Sequence, residues 1–118
     1  MICHITKYAL ALRDRINRFR IMRQAEKCRR ICMRELAARK RGIPGESTVG
    51  QLETVVLPDL NQLLEQLKLG EAPMIKQPWL LSYSLAFKDW GWSIRQPTPL
   101  FSALCKLNHL CAKLYRGQ

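Results

Sequence analysis

The sequence predicts an all-α fold, a small helical bundle of about four helices with a long basic N-terminal helix. Three observations predict it. Between Ile5 and Arg41 there is neither Gly nor Pro, and Ala, Leu, Arg, Met, Lys, Gln and Glu dominate. Those residues lose little freedom on entering a helix. The later apolar segments recur at three- and four-residue steps and are bounded by Pro or Gly. No segment alternates with the period of two that a half-buried strand needs.

The first element is a single helix over residues 5–41, stopped by Gly42 and Pro44. At 100° per residue, Ile5, Ala9, Leu12, Ile16 and Phe19 share one face, and Ile21, Ala25, Cys28, Cys32 and Leu36 share another, roughly opposite. The apolar side therefore switches near Arg20–Arg23. Either the helix breaks there, for which no turn residue is present, or one straight helix of about 55 Å buries opposite faces at its two ends. The straight helix is the expectation. Such a helix protrudes from its domain or bridges to a second copy of the chain, as in a homo-oligomer.

Ile43–Gly50 (IPGESTVG) is a loop. Thr48 followed by Gln51 fits a capping box that opens a second helix. Leu52, Val55, Val56, Leu60, Leu63, Leu64 and Leu67 then fall on one half of the circumference, an arc of about 180°, the cleanest amphipathic pattern in the chain. Pro58 lies inside it and should kink the helix or open a new one after a short break. Gly70 closes it, and Glu71–Pro78 is a linker. A third helix is expected from Trp79 to about Trp90, with Trp79, Tyr83, Phe87 and Trp90 aligned, ended by Gly91. After the Gln96–Pro99 break, a fourth runs from Leu100 to about Tyr115 on the apolar row Leu100, Leu104, Leu107, Cys111 and Leu114. With 118 residues, 47% of them apolar, the chain can build one core. The expected organisation is a single helical domain over 1–118, the basic helix at 5–41 and a compact remainder at 43–118.

The charge is lopsided. Residues 1–42 carry 13 Lys and Arg against Asp14, Glu26 and Glu35, a net of +10, whereas residues 43–118 carry 7 against 6 acids. Nearly the whole +11 belongs to one helix, which points to a polyanionic partner. On that helix Arg20, Arg23, Lys27, Arg30, Arg34 and Arg41 fall within about 80° of arc, opposite the row from Ile21 to Leu36. A helix of this kind seats one side on protein and offers a row of cations to phosphates, a contact that is salt-dependent and blind to sequence. Trp92, just past Gly91, is the aromatic residue expected to be exposed and free to stack on a base.

Other chemistry has less support. Cys28/Cys32 and Cys105/His109 are each one helical turn apart, as zinc ligands can be, but they lie on mismatched faces, so no metal and no cofactor is expected. No Gly-rich phosphate loop, paired-carboxylate motif or Ser-His-Asp set is present, and the chain is not expected to be an enzyme. The apolar face from 21 to 36 is narrow and holds Ala and Cys, which suits protein packing better than a membrane surface. No run approaches the length of a membrane span. Five Cys, with no framework spacing and no signal segment, suggest reduced thiols in the cytoplasm. The expected function is a small non-enzymatic nucleic-acid-binding (DNA or RNA) or ribonucleoprotein accessory protein. The alternative is a protein-binding inhibitor or adaptor of the mobile-element type, docking on an acidic partner surface.

Overall fold

The computed structural model describes residues 2–69 and 80–116, with the side chains of 2–11, 14 and 114–116 outside the description. Helix α1 spans Ile2–Lys40 without interruption. Its 39 residues make about 58 Å at 1.5 Å per residue, close to the molecule's longest dimension of 62 Å. The change of apolar face near Arg20–Arg23 is therefore made within one straight helix. Gly42, at φ +84°, ends it in a Schellman motif. The Ile43 amide donates to Ala38 O and the Gly42 amide to Arg39 O, both at 3.0 Å. The following loop is fastened back onto α1. Arg39 Nε donates to Ser47 O at 2.8 Å, and the buried Ser47 hydroxyl donates to Glu35 Oε2 at 2.7 Å.

The capping box forms as the spacing predicts. Gln51 N donates to Thr48 Oγ1, and Thr48 N to Gln51 Oε1, each at 3.1 Å. It opens a short α2 (Val49–Gln51), which runs through a π-helical turn (Leu52–Val56) into α3 (Leu57–Lys68). The backbone stays right-handed helical throughout, so Pro58 causes no break. In a regular α-helix Pro58 would lack the amide for the Thr54 carbonyl and press its ring against it. The π turn just before it widens the helix, and the Leu57 amide reaches back five residues to Leu52 O. The resulting rod runs antiparallel to α1. Lys40 pairs with Glu53 at 3.0 Å near the loop, and Arg29 Nε donates to Asn61 Oδ1 at 2.9 Å further along.

Helix α4 spans Leu81–Lys88, shorter than the Trp79–Trp90 expected; Gly70, the 71–78 linker and Trp79 lie outside the described residues. Its start is held by other helices. Asp59 of α3 accepts from Ser82 N at 3.0 Å and from Ser82 Oγ at 2.6 Å, and Leu80 N donates to the Asn108 side chain at 2.7 Å. The aromatic row is not the deepest part of α4. Ser82 and Ala86 are fully buried, Tyr83 is half-buried and Phe87 is 46% exposed. Small side chains let α4 sit close to its neighbours, and the rings pack along its edge, Tyr83 on Phe87 at 6.0 Å and on Phe101 at 6.1 Å.

Helix α5 (Pro99–Arg116) follows a Thr98 hydroxyl that accepts from Phe101 N at 3.2 Å. Leu100, Leu104, Leu107 and Cys111 are all fully buried, as the periodicity predicts; the Leu114 side chain lies outside the description. With Ile21, Ala25, Cys28 and Cys32 from α1 and Leu52, Val56, Leu60, Leu63, Leu64 and Leu67 from the second rod, they form the core cluster. No strand occurs among the described residues.

Truncating Leu64 to Ala should cost about 2–4 kcal/mol in urea unfolding, from lost burial plus the cavity. Asp59→Ala should cost about 1–3 kcal/mol, because it leaves the Ser82 amide and hydroxyl without their acceptor. A change below about 0.5 kcal/mol in either would contradict the packing described.

Candidate nucleic-acid interface

The cation row of α1 faces outward because the opposite side of the same turns is buried. Ile21, Ala25, Cys28 and Cys32 are at most 1% exposed. A helix repeats every 3.6 residues, so Arg20, Arg23, Lys27, Arg30 and Arg34 are all left exposed. Gln24, on the boundary between the two faces, is buried, and its side-chain Nε2 donates to Ala103 O of α5 at 3.0 Å. That bond ties α5 to the edge of the cation row and makes the surface concave.

The result is an open cleft of about 280 Å³ lined by Arg20, Arg23, Gln24, Lys27 and Arg30 of α1 and by Lys106 and Leu110 of α5. Five cations border it and no carboxylate does. The ion pairs Glu35–Arg39 and Lys40–Glu53 lie at the other end of α1. Among the described residues no carboxylate is paired with Arg20, Arg23, Lys27, Arg30, Arg34 or Arg41. Like charges around a concave, partly apolar wall focus the potential outward and favour an anion with several charged oxygens.

Four of the six cations singled out from the sequence thus meet in one place. Arg34 lies on the same face but does not line the cleft, and Arg41 is exposed in the turn after α1. The sequence does not single out Lys106. The position was legible as part of the polar side of α5, but nothing local says that this side borders α1. Trp92 corrects the sequence expectation: it is 3% exposed, not free to stack on a base. Gly91, at φ +67°, reverses the chain, and the Trp92 amide donates back to Ala86 O at 3.1 Å. The ring then packs edge-on against Phe101 at 5.7 Å and against Trp90 at 5.3 Å. Its indole Nε1 meets no acceptor among the described residues.

Cys28, Cys32 and Cys111 are buried and Cys105 is half-buried, all as free thiols. Burial pushes Cys28 and Cys111 up to about 12 and Cys32 up to about 11, and it raises Cys105 as well. They behave as small apolar side chains. His109 is exposed, so the Cys28/Cys32 and Cys105/His109 pairs do not converge. Among the described residues no group of three or more His, Cys, Asp or Glu is placed to hold a metal ion. No helix among them is long and apolar enough to cross a membrane. Comparison with protein-family models, with curated proteins and with solved structures finds no match to this chain.

The buried thiols give a pH signature. Their folded-state values lie above the ordinary value of 9.0, so above pH 9 the unfolded chain releases protons that the folded chain keeps. The thiols' contribution to stability is fully present below about pH 9 and should be lost as pH rises toward 11–12. The slope of the urea midpoint against pH in that window should be shallower in Cys28→Ala than in the parent. Equal slopes would show that the thiol is not desolvated.

Proposed function

We propose that this chain is a small, non-enzymatic nucleic-acid-binding or ribonucleoprotein accessory protein that grips the phosphate backbone through the α1–α5 cleft. The observation that carries the reading is the lining of that cleft, five cations with no carboxylate. Arg guanidinium groups bind phosphate oxygens in pairs, and Lys27 and Lys106 add point charges from two helices. Such contacts position a backbone without reading bases. The burial of Trp92 removes the stacking platform that the sequence offered, and the reading rests on phosphate contact. Arg34 extends the row beyond the cleft on the same face of α1.

The test is a labelled-oligonucleotide titration over a range of salt. The parent should bind with affinity that falls steeply with salt. Replacing Arg23, Lys27, Arg30 and Arg34 with Gln should leave stability within about 1 kcal/mol, because all four are exposed. It should weaken binding sharply and flatten the log–log salt slope by about one unit per lost phosphate contact. Lys106→Gln alone should lower the slope by about one unit, a result that a one-helix grip does not produce. If the quadruple variant binds as well as the parent, the cations are a solvated surface. If the parent ignores oligonucleotides at low salt but holds one acidic protein through the same residues, the chain is an inhibitor or adaptor instead.

A further inference from the structure

A second surface lies N-terminal to the cleft on the same helix. Leu12, Ile16 and Phe19 are 59%, 51% and 60% exposed, large apolar side chains held in water. Their four- and three-residue spacing is the alternating step of a heptad seam, with Leu12 and Phe19 at d and Ile16 at a; Ile5 and Ala9 continue the register in the sequence. The three span only about 60° of the circumference at 100° per residue. A stripe that narrow fits one partner helix, whereas a helix lying on a membrane presents a broad apolar face.

The flanks say which helix. In this register Arg13 and Arg20 take e positions and Arg15 a g position, and all three are exposed. A second copy of the chain would meet repulsion in either orientation. Parallel pairing sets Arg15 against Arg20 of the other copy, and antiparallel pairing sets each flank against itself. A partner with Glu or Asp at its own e and g positions would match all three. The next a position is Arg23, whose guanidinium lies 5.8 Å from the centre of the Phe19 ring. The seam therefore stops where the cation row begins: a helix seated over residues 12–19 shares Arg20 with the cleft and leaves its other four cations, Arg23, Lys27, Arg30 and Lys106, uncovered.

We infer that the exposed seam Leu12–Ile16–Phe19, flanked by Arg13, Arg15 and Arg20, is a docking site for an acidic amphipathic helix of a partner protein. The inference does not depend on the cleft binding nucleic acid. The test uses the full chain and two synthetic fluorescent peptides of about three heptads, with Leu and Ile at a and d. One carries Glu at e and g, the other Lys. The Glu peptide should bind, measured by anisotropy, and the Lys peptide should not. Leu12→Gln with Ile16→Gln should weaken that binding by at least about tenfold without changing the helical circular dichroism. Arg13→Glu with Arg15→Glu should shift preference toward the Lys peptide. The variant carrying Gln at 23, 27, 30 and 34 should still bind the Glu peptide, and the Leu12/Ile16 variant should bind oligonucleotides as the parent does. Failure of one site is thus read separately from failure of the other. The inference is overturned if neither peptide binds or both bind equally. It is also overturned if sedimentation shows a dimer that dissolves in the Leu12/Ile16 variant, which makes the occupant a second copy. Binding to phosphatidylserine vesicles that needs the same two side chains would overturn it in favour of a membrane.

Discussion

The structure depends on how α1 meets the core. Over residues 21–32 the fully buried apolar stripe of the helix is Ile21, Ala25, Cys28 and Cys32, in which Ile21 alone is large, with Met22 and Ile31 packed at its edges. Ala25, Cys28 and Cys32 are small, and small side chains let α5 and α3 approach the α1 backbone closely. Leu104, Leu107 and Cys111 from one side and Leu60 and Leu64 from the other supply the bulk that α1 lacks. Gln24 adds a directional constraint, because a buried carboxamide must find a partner and here finds Ala103 O. Rotation of α1 by one residue would bury an Arg, a change that desolvation forbids without a paired acid. The outward aim of the cation row follows from that constraint.

The two ends of α1 are treated differently by the fold. Its C-terminal half is flanked by helices and closed by a Schellman motif, a returning loop and two ion pairs. At Leu12, Ile16 and Phe19 it offers apolar surface to water instead. Those residues contribute little to burial on folding, so the helix there is supported by propensity and by continuity with the anchored half. A feature that adds little to stability yet retains three large apolar side chains at heptad spacing is what a docking surface requires.

Polar groups at the helix junctions show how a small bundle reconciles competing local demands. Asp59 lies within the first turn of α3 yet accepts from both donors of Ser82, fixing where α4 starts. Pro58 is kept inside a continuous rod by the π turn before it. The Trp92 amide returns to Ala86 and turns its ring inward. Each is a local irregularity resolved by a specific hydrogen bond.

The sequence by itself determined what depends on neighbours along the chain. The uninterrupted α1, the Gly42 stop, the Thr48–Gln51 box, the leucine face of α3 and the apolar row of α5 all follow from local propensity and 3.6-residue periodicity. The existence of the cation row follows from the same arithmetic. Tertiary structure alone decided what depends on which helices meet. Lys106 joins the cleft because Gln24 ties α5 to the edge of the row. The deepest residues of α4 are Ser82 and Ala86, because close approach favours small side chains over the aromatic row that periodicity marks. Trp92 is buried because a left-handed glycine and one returning amide aim it at Phe101. In each case the deciding contact joins groups that no helical period relates, so it had no signature in the local sequence.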